Sequence, residues 1–255
     1  MTAVDTPSTR SSQPRRVSVL GYPLDLLDNY PAWLAAHQGD GFHVVTLNAE
    51  MIMQAEKVPQ LAQVIKQASF IVPDGSGVVL YLRLYGIKAN RQPGIELSES
   101  LLKFAATQNP PLKVFFYGSA PGVAAQAAEN WQKRYPNLNV VGIYTGYQAP
   151  ESEAELKAHL QASQPDIIFV ALGVPRQEYW IAENRYLAPQ ATWVGVGGSF
   201  DIWAGKKVRA PQFFLDHHLE WLYRLYQEPW RWRRMLVLPQ FALRGLWHRL
   251  WHSRI

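Results

Sequence analysis

Residues 167–186, Ile-Ile-Phe-Val-Ala-Leu-Gly-Val-Pro-Arg-Gln-Glu-Tyr-Trp-Ile-Ala-Glu-Asn-Arg-Tyr, pass from an apolar run through a glycine–proline turn into a helix-length segment. Ile167–Ala171 is apolar at consecutive positions. That pattern suits a strand covered on both faces, since a strand with one solvated face alternates apolar and polar residues. The unit recurs along the chain. Val17–Leu20, His43–Leu47, Phe70–Pro73, Val114–Tyr117, Val140–Ile143 and Trp193–Val196 are further short runs rich in β-branched and aromatic residues. Glu96–Gln108, Pro121–Tyr135, Glu151–Ala162 and Gln177–Tyr186 are helix-length segments between them. Strands alternating with helices predict an α/β fold, a doubly wound and mainly parallel Rossmann-like sheet. Asn109-Pro110-Pro111 is the clearest break and would join two βαβ-type halves.

The last fifty residues differ in character. From Lys206 to Ile255 ten Lys/Arg face three acids, whereas the preceding 205 residues carry fifteen against seventeen. Trp221, Trp230, Trp232, Trp247 and Trp251 lie in this tail, half of the chain's ten tryptophans. Leu215, Leu219, Leu222 and Tyr226 repeat on one helical face before Pro229 interrupts, and a second basic stretch is expected to break near Pro239. Arginine mixed with tryptophan and leucine suits an anionic, partly apolar surface such as a phospholipid headgroup layer. The apolar residues favour lipid over nucleic acid, so no nucleic-acid partner is expected. Met235–Leu243, the best candidate span, is far short of the ~20 apolar residues needed to cross a bilayer. The expected organisation is a disordered arm at 1–14, a Rossmann-like catalytic domain at 15–205, and a helical, membrane-associating appendage at 206–255.

Several chemistries are excluded or disfavoured. Cysteine is absent, which removes disulfides, thiol nucleophiles and Cys-type zinc sites. No Asp-x-Asp, H-E-x-x-H or G-x-S-x-G occurs, and a dinucleotide fingerprint with its downstream acid is missing. His217 and His218 are adjacent and diverge by about 100° on a helix, so they do not make a metal pair. Neither metal nor cofactor is expected.

In an open α/β sheet, ligands bind beyond the carboxyl ends of the strands, and five loops qualify. Thr46-Leu47-Asn48 offers a hydroxyl and an amide, although Asn48 equally suits the cap of a helix beginning near Glu50. Pro73-Asp74-Gly75 holds an aspartate that local sequence reads as a helix cap or as a general base at the mouth of a cleft. Gly118-Ser119-Ala120-Pro121-Gly122 is a small-residue turn, open either to phosphate approach or to a plain strand-to-helix connection. Arg176 stands at a helix start, where a cation gains nothing from the helix dipole. That hints at another role, against the alternative of a solvated helix start. Gly195-Val196-Gly197-Gly198 spends conformational entropy that either ligand approach or tight packing would justify.

Taken in order, the motifs Thr46-Leu47-Asn48, Pro73-Asp74-Gly75-Ser76-Gly77, Arg91-Gln92-Pro93-Gly94-Ile95-Glu96-Leu97, Gly173-Val174-Pro175-Arg176-Gln177-Glu178, Gly197-Gly198-Ser199-Phe200-Asp201 through Arg209-Ala210-Pro211, and Leu219–Leu225 with Glu228-Pro229-Trp230-Arg231 resemble the WecG/TagA/CpsF glycosyltransferases from about Val17 to about Arg234. The resemblance implies an inverting, metal-independent transfer of a sugar from a UDP donor to a polyprenyl-diphosphate-linked sugar at the cytoplasmic face of the bacterial plasma membrane, by a peripheral protein. The sugar implied is N-acetylmannosamine or a relative. Glucose transfer in exopolysaccharide assembly and a non-catalytic membrane-bound nucleotide-sugar binder are the alternatives. Carried over motif by motif, Asp74 becomes the candidate base, and Thr46, Asn48, Arg91 and Gln177 candidates for lining the pocket. Tyr147 and Asp201 become candidates for the uracil and nucleoside, and Arg224, Arg231 and Arg234 for the departing diphosphate. The Asn90-Arg91-Gln92-Pro93 stretch departs from the common Glu-Arg-Val pattern.

Overall fold

The computed structural model describes residues 13–147, 149–217 and 219–251, without the side chains of Pro150 and Arg231. Residues 1–12 of the expected arm, His218, and the last four residues lie outside the described residues. Among the described residues there are eight strands: β1 (Arg15–Val19), β2 (Tyr22–Leu26), β3 (His43–Leu47), β4 (Phe70–Pro73), β5 (Lys113–Gly118), β6 (Asn139–Tyr144), β7 (Ile167–Ala171) and β8 (Thr192–Gly195). The last six form one parallel sheet in the order β4-β3-β8-β7-β5-β6.

The apolar runs are buried on both faces, and the period of two decides which face each side chain serves. Val114 and Phe116 of β5 join Phe169, Val194, Leu101, Trp131, Phe200 and Trp203 on one side. Phe115 and Tyr117 join Ile168, Val170, Trp180 and Leu160 on the other. Near β3 and β4 that second side continues as Val45, Leu47 and Ile71 against Met51, Ile52, Leu61, Ile65 and Tyr81. Helices therefore cover both faces, as the doubly wound expectation requires.

Two local expectations are corrected. Val17–Leu20 is not a strand of the main sheet: β1 pairs antiparallel with β2, turning at Leu20 and Gly21, both with positive φ. This hairpin is tied to edge strand β4 through Asp25, which accepts the Ile71 N–H at 2.9 Å and the Arg16 guanidinium at 2.8 and 2.9 Å. A buried edge donor is thereby satisfied. Next, the helical face drawn through Leu215 and Tyr226 is divided, because Gln212–Asp216 and Glu220–Gln227 are separate helices. The break expected near Pro239 is present: Trp232–Met235 and Val237–Trp251 are separate helices, and Pro239 lies in the first turn of the second, where a backbone N–H has no partner within the helix to lose.

The final helix packs on Ala49–Ala55 and Ser76–Leu84. Phe241, 3% exposed, enters the same apolar cluster as Tyr81, and Gly245 lets the Tyr81 ring come close. Along the rest of the helix Leu243, Leu246, Trp247, Leu250 and Trp251 are exposed. Replacing Phe241 with Ala should lower stability by about 3 kcal/mol in a urea titration. Leu250→Ala, at a position 79% exposed, should stay within about 0.5 kcal/mol. Equal losses from the two would contradict this packing.

Candidate active site

β3 and β8 are register partners only at His43↔Trp193 and Val44↔Val194, whereas β3 stays paired with β4 as far as Leu47↔Pro73. From β3 the chain continues outward to β4, while β8 is reached from β7 on the opposite side. This is the point where strand order reverses, and the crevice expected there is present as a cavity of about 300 Å³. Its walls come from the loops after β3, β4, β7 and β8 and from the tail.

Asp74 follows the last residue of β4, with its N–H donating to Leu47 O at 2.9 Å. It does not cap the following helix: Gly75, at φ 94°, holds the cap position and no side chain bonds there. The Asp74 carboxylate instead accepts the Gly94 N–H, at the start of helix Gly94–Thr107, and lies 3.9 Å from Arg91 Nη2. Gln92 N–H donates to Pro73 O at 2.8 Å, which fixes the Arg91 loop against the end of β4. Space at 94 is tight, since a Cβ there would stand 3.0 Å from Thr46 Cγ2. The Asp74 side chain is 24% exposed, toward the cavity. Its enclosure pushes the carboxyl up from 3.8 to about 6; Arg91, Arg224 and the Gly94 N–H pull it down, and the charge of Glu220 pushes it further up.

Gln177 is buried at the base of the crevice and acts as a brace. Its Oε1 accepts the Gly173 N–H at 3.1 Å and the Gly197 N–H at 3.0 Å, joining the loops after β7 and β8. Its Nε2 donates to Glu178 Oε1 at 3.0 Å, and Glu178 Oε2 lies 2.8 Å from His43 Nε2. A Cβ at Gly195 would fall 2.5 Å from Gln177 Nε2 and 2.7 Å from Glu178 Oε1. Packing therefore explains this glycine. Gly197 is needed for its φ of 51°, and Gly198 borders the Asp201 carboxylate.

Of the residues expected from sequence, Thr46, Asn48, Asp74, Arg91, Gln177, Arg224 and Arg234 share the cavity wall. Asn48 is a helix cap, its Oδ1 accepting the Met51 N–H at 2.9 Å, and it also lines the cavity. Asp201 sits just behind the wall. Its carbonyl accepts the Lys206 and Lys207 N–H groups, and its carboxylate lies 3.5 Å from Lys207 Nζ. Tyr147 is not brought to the cavity wall: its side chain is 71% exposed on the loop after β6. The side chain of Arg231 lies outside the described residues. The Gly118–Gly122 turn is structural. A Cβ on Gly118 would strike the Ala171 backbone at 2.5 Å, and Ser119 N–H donates to Ala171 O. Arg176 is exposed at its helix start, away from the cavity.

Sequence reasoning left five charged wall residues without a role: Glu220, Lys207, Arg209, Glu50 and Glu228. Glu220 Oε2 accepts Arg91 Nη2 at 2.5 Å, and its Oε1 accepts Arg224 Nη2 at 2.5 Å. The i,i+4 spacing of Glu220 and Arg224 was the legible signal, as it sets both on one helical face. Arg209 pairs with Glu96, Lys207 with Glu228 at 3.0 Å, and Arg234 with Glu50 at 3.5 Å. Arg91 Nε and Arg209 Nε are buried with no hydrogen-bond partner among the described residues. Among those residues no cluster of His, Asp or Glu able to hold a metal ion occurs.

The family model described as "Glycosyl transferase WecG/TagA/CpsF family" matches residues 17–255. Over 233 residues the chain is 40% identical to the N-acetylglucosaminyldiphosphoundecaprenol N-acetyl-beta-D-mannosaminyltransferase of Bacillus spizizenii, covering 88% of this chain and 89% of that protein. Proteins of the same name from Bacillus subtilis and Staphylococcus aureus are each 35% identical, over 221 and 237 residues. The former match covers 85% of each chain, and the latter 90% of this chain and 92% of the relative.

The raised Asp74 carboxyl has a consequence for stability. Because its folded value lies above its ordinary one, ionisation costs stability as pH rises from about 4 through 6, and the full cost is present above that window. Asp74→Asn should therefore raise stability by about 2 kcal/mol at pH 8, with the gain vanishing near pH 4. Paired urea titrations at the two pH values measure this, and an equal effect at both would refute the burial of the charge.

Proposed function

The chain belongs to the WecG/TagA/CpsF family of glycosyltransferases, and from that premise we propose that it transfers N-acetylmannosamine from a UDP donor to the N-acetylglucosamine of an undecaprenyl-diphosphate-linked acceptor. The product is a lipid-linked disaccharide for a cell-surface polymer. The acceptor hydroxyl oxygen attacks the anomeric carbon from the side opposite UDP. As the new C–O bond forms, the bond from carbon to the diphosphate oxygen breaks, UDP departs with the electron pair, and the configuration inverts. Asp74 takes the hydroxyl proton.

The observation that carries this reading is the Asp74 carboxylate in the cavity wall, oriented by Gly94 and Arg91, with a proton affinity raised to about 6. A base of that strength is ionised at neutral pH yet binds a proton better than an ordinary aspartate. The cavity of about 300 Å³ is at the lower end of the range for small-molecule sites. Arg91, Arg209, Arg224, Arg234 and Lys207 supply positive charge for a leaving diphosphate without a metal ion. The buried Nε–H groups of Arg91 and Arg209 are donors for which an anion would remove a desolvation cost.

The basic tail is proposed to rest on the membrane that holds the acceptor. Support comes from the exposed Leu243, Leu246, Trp247, Leu250 and Trp251, with Arg244 and Arg249 on the same helix. Among the described residues no helix is long and apolar enough to cross a membrane.

Asp74→Asn should reduce turnover by about 10²–10⁴-fold while leaving UDP binding intact by calorimetry; turnover within tenfold of wild type would remove Asp74 as the base. A panel of UDP-sugars with a short-chain diphospholipid acceptor, with and without EDTA, tests donor and metal dependence together. Preference for UDP-N-acetylmannosamine, unaffected by EDTA, is the expected result, and UDP-glucose as the better donor would overturn the assignment. Trp247→Ala/Leu250→Ala/Trp251→Ala should lose co-flotation with vesicles containing anionic phospholipid, and undiminished flotation would refute the role of this helix.

A further inference from the structure

Two guanidiniums stand beside Asp74, and both approach Glu220 more closely. Arg91, from the connection between helices Ser76–Leu84 and Gly94–Thr107, and Arg224, from the tail, each reach a different oxygen of the Glu220 carboxylate at 2.5 Å, whereas Arg91 lies 3.9 Å from Asp74. Glu220 is 7% exposed and lines the cavity. We infer that Glu220 is a positioning residue: it takes both guanidiniums onto its own oxygens, holds helix Glu220–Gln227 over the cavity, and leaves the Asp74 carboxylate free to accept the acceptor proton. This rests on the reading of Asp74 as the base.

The physical problem is a conflict within one cavity. Cations are wanted for the diphosphates, yet a cation next to the base lowers its affinity for a proton. Removing Glu220 would leave Asp74 as the nearest carboxylate to Arg91. With Glu220 present, the arginines are neutralised locally and its own negative charge supports protonation of Asp74. Burial opposes the Glu220 charge, but the combined pull of Arg224 and Arg91 outweighs it and holds the carboxyl below its ordinary value. A buried acid bridging two arginines is better at fixing geometry than at adding stability. Here the geometry joins the sheet body to the tail. The remaining charged groups of the wall are engaged elsewhere, Lys207 with Glu228 and Asp201, Arg209 with Glu96, and Arg234 with Glu50.

The test is the pH profile of kcat/KM with UDP-N-acetylmannosamine and a short-chain diphospholipid acceptor. Glu220→Gln should move the acidic limb about one pH unit lower and reduce the plateau rate, because the base is weaker. Glu220→Gln/Arg224→Gln, which removes one anion and one cation, should bring the limb back toward its wild-type position. An unmoved limb in the single variant, or a double variant displaced as far as the single, would overturn the inference; the latter is the result expected if Glu220 only pins the tail. Arg224→Gln alone, at a half-exposed side chain, keeps the test usable should Glu220→Gln fail to fold. Its limb should move to higher pH, and a downward or absent movement counts against the proposal. Turnover persisting in Asp74→Asn would strike the base assignment itself. An inactive Asp74→Asn with an unmoved Glu220→Gln limb overturns the role of Glu220 alone.

Discussion

Register pairing between β3 and β8 ends at Val44 and Val194, and the groups beyond those residues must find other partners. Backbone N–H groups that leave a ladder inside a protein are costly unless they are bonded again. Gln177 meets this requirement for Gly173 and Gly197, and Glu178 with His43 holds the Gln177 amide in the orientation that does so. Close packing at Gly195 leaves no room for a side chain to intrude. The crevice is thus a braced gap between parallel strands, and the loops lining it are fixed by hydrogen bonds rather than by a ligand.

The chemistry of the cavity follows from charge arranged around that gap. The tail contributes an excess of cations, yet where it meets the sheet body its arginines do not stand alone. Arg224 and Arg91 share Glu220, Arg234 faces Glu50, and Arg209 meets Glu96. Pairing allows positive groups to crowd a small cavity without mutual repulsion, and keeps them aimed until an anion competes for them. Asp74 experiences the sum of these influences together with its own enclosure. It ends as a carboxylate with a raised proton affinity, in a wall otherwise rich in cations.

The parallel sheet was legible because strands covered on both faces leave unbroken apolar runs. His43–Leu47, Phe70–Pro73 and Ile167–Ala171 appear as read. The hairpin was not, because Tyr22-Pro23-Leu24-Asp25-Leu26 carries a proline and a buried acid, and its reason for being a strand is an edge contact with β4. Pro239 marked a real boundary, because a proline fits the first turn of a helix, where no helical N–H is lost, and a new helix begins at Val237. Among the site residues, Asp74 was placed at a strand end, but its choice between cap and cavity depended on Gly94, twenty residues away. Tyr147 follows β6, the far edge strand, which does not border the gap.

The sequence by itself determined the α/β class, the strand ends at which polar residues gather, the family, and the contrast between a nearly neutral body and a cationic tail. These are properties of periodicity, composition and ordered motif, which a linear chain records directly. Only the tertiary structure decided which side chains meet. Glu220 and Arg91 are separated by 129 residues and join at 2.5 Å, while Asp74 reaches the N–H of Gly94 with the whole helix Ser76–Leu84 between them in the chain. The strength and direction of a charged group's influence depend on distance and burial, and both are set by how distant segments pack rather than by residue type.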